Sequence, residues 1–421
     1  MTISSLRFLV AEDHDFQRNA LVSVLKRLGA TTIHEAGDGH AALAIIRDPL
    51  RPVDIVISDL DMPAMDGMEF LRHLGEAATG SAHAAGVSII LVSALERKLL
   101  TSVATMSEAY GIKLLGILEK PLSIDRLEPL ILLHRPALPI DGIATSNKPE
   151  DMAKETSVFS MQEISTALQQ NQFEPWFQPK VELSTGQVKG IEALARWRHP
   201  QQGIVLPESF ISLLEHGSET HALMDELTWI MLKKAAAYCG RWRSTGLNAT
   251  VSVNLSIKSL LDMQLAERVT DLVGRQSLEP RHVVLELTES ALTSDVGKVL
   301  ENLARLRMKG FGLSIDDYGT GYSSMQQLAR IAFTELKIDQ SFVTNASRQP
   351  EDRVILESSL DMARKLGITS VAEGVETREA YELLLQLQCD MVQGFFVARP
   401  MPYPDLLAWV RGRQPSQPAM P

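Results

Sequence analysis

Residues 283–318 read VVLELTESALTSDVGKVLENLARLRMKGFGLSIDDY. Two apolar runs, each closing on acids (Glu286, then Asp316 and Asp317), bracket a stretch long enough for a helix. The figure recurs on either side: Glu192 in IEALARW, Asn254 in VSVNLS, Lys337 in ELKID, Glu373 in VAEGVE and Gln393 in VQGFF each stand where an apolar run ends. The steps from 254 to 286 and from 286 to 316 are 32 and 30 residues, the length of one strand-helix unit. Between about Val158 and Arg413 the predicted strands end near Leu183, Trp197, Leu255, Thr288, Asp317, Asp339, Val375 and Phe396. Eight strands at this spacing predict a TIM-like (β/α)8 barrel, whose active site lies at the rim where strands end. Ser184-Thr185-Gly186-Gln187 reads as a turn, which puts IEALARW on the second strand of a hairpin and makes the first strand antiparallel.

Upstream, from Leu6 to about His134, short apolar runs alternate with amphipathic stretches: Arg7 to Ala11, Thr31 to Glu35, Val53 to Ser58, Val87 to Val92 and Lys113 to Leu118. This rhythm predicts five strands and five helices in a doubly wound, flavodoxin-like parallel sheet over residues 1–134. Residues 136–156, PALPIDGIATSNKPEDMAKET, hold no period and read as part of a linker over 135–157. A barrel domain is expected over 158–413, and QPSQPAMP at 414–421 reads as a disordered tail.

Composition limits the function. The chain has 421 residues and a net charge of −11, which argues against direct DNA binding. Only Cys239 and Cys389 are present, so no disulfide scaffold or cysteine zinc site is available, and a reducing cytoplasm is the expected compartment. No run of about 18 apolar residues predicts a membrane span. Trp176, Phe177 and Trp197 read as barrel packing, and Arg241-Trp242-Arg243 as a solvated helix end.

At the barrel rim, Glu192, Glu286, Asp316, Asp317 and Glu373 cannot all ionise together without cations, because like charges raise one another's pKa. An all-oxygen set with Asn254 points to Mg2+ or Mn2+, and the surplus of carboxylates suits two ions about 3.5–4 Å apart acting on a phosphodiester. In the first unit, Glu12 and Asp13 follow one strand, Asp59 another, Ser93 closes a third, and Lys120-Pro121 follow the last. That is an acidic cup suited to one Mg2+, with a lysine opposite.

These motifs carry two resemblances. Glu12-Asp13, Asp59 in SDLDMPAMDG, Ser93 and Lys120-Pro121 resemble the receiver domain of bacterial response regulators. The resemblance implies a phosphoryl group accepted on Asp59 from a histidine kinase or phosphotransfer protein. Mg2+ would lie on Asp13, Asp59 and the Asp61 carbonyl, with Ser93 and Lys120 on the phosphoryl oxygens. Ile117 stands where that family carries an aromatic switch residue. Lys120-Pro121 is a candidate cis peptide.

The string E-A-L is by itself a common helix former, but the barrel motifs in order resemble the EAL domain of cyclic di-GMP phosphodiesterases. That resemblance implies cleavage of cyclic di-GMP to linear pGpG, with Glu192, Asn254, Glu286 and Asp316 on the first ion and Asp316, Asp317 and Glu373 on the second. Substrate contacts would come from Gln178, Arg196, Glu376 and Gln393. Glu289 would steady the loop YGTGYSS at 318–324, and the base lies between Glu373 and Lys337. A homodimer or higher oligomer through the barrel is implied. A second reading keeps the nucleotide bound but uncut, as a sensor acting through protein contacts.

Overall fold

The structure, a computed structural model, describes residues 3–80, 86–93, 97–120, 124–134, 159–215, 220–288, 296–318, 331–346 and 349–413. The chain divides into two compact units between Met152 and Ala153. The linker and the tail lie outside the described residues, as does Pro121.

In the first unit, β1 (Arg7–Ala11), β2 (Thr32–Ala36), β3 (Ile55–Asp59), β4 (Ser88–Ser93) and β5 (Lys113–Glu119) form one parallel sheet in the order β2-β1-β3-β4-β5. Helices α1 (Asp15–Arg27), α2 (Gly39–Arg47), α3 (Gly67–Gly80), α4 (Arg97–Ala109) and α5 (Ile124–Leu132) alternate with the strands. Every residue of β3 and β4 is buried, as strands covered on both faces must be. Phe8, Val10, Leu25, Ile57, Val92, Leu127 and Ile131 meet in one apolar cluster. β3 begins two residues later than its apolar run. Asp54 turns aside to accept from the backbone and guanidinium of Arg7, at 2.8 Å from the backbone nitrogen.

In the second unit, β6 (Phe173–Glu182), β7 (Val188–His199), β9 (Thr250–Asn254), β10 (Val283–Thr288), β11 (Gly312–Tyr318), β12 (Glu335–Ile338), β13 (Thr369–Ala372) and β14 (Met391–Val392) close into a barrel. The pairing of β6 with β7 completes the ring, and β8 (Gly203–Val205) adds to the outer edge of β7. β6 is antiparallel to both its neighbours, and the other pairs around the ring are parallel. The eight strands match the eight expected from the apolar runs.

One expectation is corrected. Arg241-Trp242-Arg243 does end a helix (Thr220–Ser244), but Trp242 is fully buried, donates to the Ala249 carbonyl at 3.1 Å and packs edge-on against Phe177. A tryptophan in the last turn reaches back over the barrel wall, where its large apolar area outweighs the polarity of its neighbours. Among the described residues no helix is long and apolar enough to cross a membrane.

Candidate metal and phosphoester site

Side chains along a strand alternate between faces, so residues two apart share the barrel interior. Register then stacks them: Gln178 lies opposite Glu192, Asn254 beside Glu286, and Thr288 beside Asp316. Asp316 and Asp317 are consecutive, and a regular strand would send them to opposite faces. Here β11 breaks register between Ile315 and Tyr318, and Asp317 adopts a left-handed φ of +53°. This bulge brings both aspartates to one side.

The result is an acidic cup, buried at Glu192, Glu286 and Asp316 and open to solvent at Asp317, with an ammonium at its centre. Lys337 Nζ lies 2.7 Å from Glu373, 2.9 Å from Glu286, 2.9 Å from Asp316 and 3.4 Å from Glu192. Oxygens of Glu192, Glu286 and Asp316 fall within 4.8 Å of one another, and so do those of Asp316, Asp317 and Glu373, so Asp316 belongs to both groups. Asn254 Nδ2 approaches Glu192 at 3.4 Å.

Charge is unevenly shared. Burial would raise Glu286, but Lys337 and Lys180 pull it down to about 2. Burial first, then the negative charge of Glu286, pushes Glu192 up to about 7. Burial and then Asp316 push Asp317 up to about 6, and Glu373 is driven well above the carboxylate range by burial despite Lys337. Burial disfavours the charged Lys337, yet the carboxylates around it hold it firmly protonated. Two ammoniums, Lys337 and Lys180, set against the five cup carboxyls and Glu335 leave a surplus of carboxyl oxygens. Hard divalent ions fit that surplus, with Glu192, Asn254, Glu286 and Asp316 as one set and Asp316, Asp317 and Glu373 as the other.

Polar side chains rim the cup. Gln393 Nε2 donates to Glu192 at 2.6 Å and to Gln178 at 2.9 Å, and Gln178 Nε2 donates to the Ala398 carbonyl. Gln393 Oε1 and Arg196 Nε are buried with no partner among the described residues. Arg196 lies over Trp176, 5.6 Å from the ring centroid. Phe177 and Trp197 are core residues as expected, whereas Trp176 is only partly buried. It shares a face with Gln178 because the two are two residues apart on β6. Beside the cup, Leu194, Met224, Leu227, Met231 and Ile257 help to line a cavity of about 470 Å3 that reaches Asn254, Asp316 and Asp317. Glu376 is exposed on the segment after β13. Glu289 and the loop after Tyr318 lie outside the described residues.

In the first unit, Lys120 Nζ donates to Asp59 at 2.6 Å and to Glu12 at 3.0 Å. Oxygens of Glu12, Asp13 and Asp59 lie within 4.8 Å of one another. Asp59 Oδ1 also accepts from the backbone of Leu60 and Asp61, while Ser93 is buried at the end of β4. Burial raises Glu12; Lys120, despite burial, is raised by its hydrogen bonds to Asp59 and Glu12. A Cβ on Gly67 would come within 2.5 Å of the Asp59 carbonyl, so the bare backbone lets the loop after Asp59 fold tightly. Ile117 is partly buried.

Sequence reading missed Gln17, in the first turn of α1, which accepts from Lys120 at 2.6 Å. It also passed over Lys180, Ser252 and Glu335, a buried polar group beneath the cup. The period-two spacing of Lys180 from Gln178, and of Glu335 from Lys337, is the signal that marks them.

Known proteins match both units. The model of the EAL domain matches residues 161–400, and that of the response regulator receiver domain matches residues 8–132. The chain is 35% identical over 413 residues to the cyclic di-GMP phosphodiesterase RocR of Pseudomonas aeruginosa, covering 97% of this chain and 100% of RocR. It is 38% identical over 251 residues to the bifunctional diguanylate cyclase/cyclic di-GMP phosphodiesterase MucR of the same organism, covering 59% of this chain and 36% of MucR. A solved structure of the PaMucR phosphodiesterase in complex with c-di-GMP superposes with a TM-score of 0.55 at 37% identity, over 58% of this chain and 98% of that one.

Proposed function

Because this chain belongs to the EAL domain family and carries a response regulator receiver domain ahead of the barrel, we propose that it hydrolyses cyclic di-GMP to linear pGpG under the control of phosphorylation at Asp59. The observation that carries the reading is the cup itself: Glu192, Glu286, Asp316 and Glu373 all meet the ammonium of Lys337, with Asp317 beside them.

Two Mg2+ or Mn2+ ions held there would polarise a phosphoryl oxygen and acidify a water. The protein's own groups do the rest. Arg196 offers a guanidinium at the mouth, suited to gripping a phosphate, and Trp176 beneath it offers a flat face. Gln393 Oε1 and Gln178 read the nucleotide's polar edge, and the neighbouring apolar cavity shields a base from water. Lys337 steadies charge at the centre. Glu373, which meets Lys337 at 2.7 Å and shares a group with Asp316 and Asp317, is the residue we assign to take the proton from the attacking water. Glu376 and Glu289 are assigned to substrate contact and loop control from the motifs alone.

In the receiver domain, 1–134, Asp13, Asp59 and the Asp61 carbonyl would hold one Mg2+, and Ser93 and Lys120 would meet the phosphoryl oxygens delivered by a kinase. The EAL domain, 158–413, is the output. A cytoplasmic protein that pairs through the barrel completes the proposal.

Incubating the purified chain with cyclic di-GMP and Mn2+ and resolving the products by chromatography tests it. We expect pGpG, and a loss of more than about 100-fold in Glu192→Ala. Nucleotide that binds yet stays intact would identify a sensor instead.

A further inference from the structure

The interior of a barrel of this kind is ordinarily filled by layers of branched apolar side chains. Beneath the cup this barrel instead carries a second ammonium. Lys180 on β6 is fully buried, and its Nζ donates to Ser252 Oγ at 2.6 Å, Glu335 Oε1 at 2.6 Å and Glu286 Oε1 at 3.1 Å. Glu335 is itself held by Ser314 Oγ at 3.0 Å. Gly190 leaves room for the lysine stem, since a Cβ there would stand 3.1 Å from Lys180 Cε. Lysine is almost never buried without partners, and here three strands besides its own supply them.

The arrangement at Glu286 gives this pair its meaning. One carboxylate oxygen faces Lys180 below and the other faces Lys337 above, at 2.9 Å. A carboxylate held by both oxygens cannot rotate, and groups that orient a metal ligand govern affinity almost as strongly as the ligands do. We propose that Lys180, anchored by Glu335, Ser252 and Ser314, is a positioning residue that locks Glu286 in the orientation the first divalent ion requires. The inference rests on the metal-binding reading of the cup.

Deleting Lys180 alone would strand the buried charge of Glu335 and endanger folding. The variant to make is therefore Lys180→Met with Glu335→Gln, which removes one charge of each sign and leaves the local sum unchanged. Mn2+ binding to the full chain is followed by the electron paramagnetic resonance of the free ion, beside thermal unfolding and the KM for cyclic di-GMP at saturating Mn2+. We expect Mn2+ to bind about tenfold more weakly while KM moves less than about twofold. A purely structural role would move both or neither. Mn2+ affinity within about twofold of the parent overturns the inference. Should the double variant fail to fold, Ser252→Ala with Ser314→Ala removes only the two anchoring hydroxyls. About threefold weaker Mn2+ binding then supports the inference, and unchanged binding overturns it. A parent chain that binds no Mn2+ overturns both this inference and the phosphodiesterase reading, whereas a parent that binds with a variant that binds equally well removes this inference alone.

Discussion

Glu286 and Glu192 touch the same ammonium, yet one is pulled down to about 2 and the other pushed up to about 7. The difference is the number of cations each meets: Glu286 lies between two lysines, while Glu192 has one and faces the negative charge of Glu286. Glu192, near 7, is therefore only part-ionised in the metal-free cup at neutrality, and Asp317, near 6, takes up its proton about a unit lower. The sign follows from linkage. Carboxyls raised in the folded state stabilise it at low pH, and that contribution is lost as pH rises through about 6 to 7. A divalent ion needs those oxygens bare, so its affinity should climb over the same window with release of protons. Mn2+ titrations at pH 6.5 in buffers of different ionisation heat should give different apparent enthalpies; identical enthalpies would contradict the assignment. The carboxylates and Lys337 were legible as strand-end residues. The unequal sharing of charge was not, because it depends on Lys180 arriving from the opposite wall.

Strand ends were readable because apolar runs are interrupted by single polar residues at near-constant spacing, and period two then says which residues share the interior. What the pattern concealed was the β11 bulge, since adjacent aspartates on an ideal strand would point apart and no residue type announces a break in register. The segment after β13 carries a comparable constraint. Gly374 follows Glu373 with φ of +59°, and a Cβ there would lie 2.3 Å from Gln340 Cβ. Gly374→Ala should cost about 1–3 kcal/mol through overpacking and strain. By turning the backbone that carries Glu373 it should also lower turnover at least about tenfold. Denaturant unfolding beside steady-state kinetics checks both, and a fully active, equally stable variant would show that this turn does not position Glu373.

For the molecule as a whole, the receiver and the barrel each gather acidic residues around a lysine, and in the proposed function Asp59 is the point where an input would enter. Acetyl phosphate should add one phosphoryl group to the intact chain, as read by mass spectrometry, and should change the rate of nucleotide cleavage. Asp59→Asn should show neither effect; an unchanged rate in a fully phosphorylated parent would remove the control function. By itself the sequence determined the two fold classes, the antiparallel start of the barrel and the identity of the acidic residues, because these depend on local period, turn chemistry and residue type. Tertiary structure alone decided which carboxylates share an ammonium, that neighbouring aspartates face one cup, and that a fully buried lysine braces Glu286 from beneath. Those facts arise where strands distant in the chain close into a ring, and the field a group feels there is set by partners far along the chain, such as Gln393, 201 residues from the Glu192 it touches.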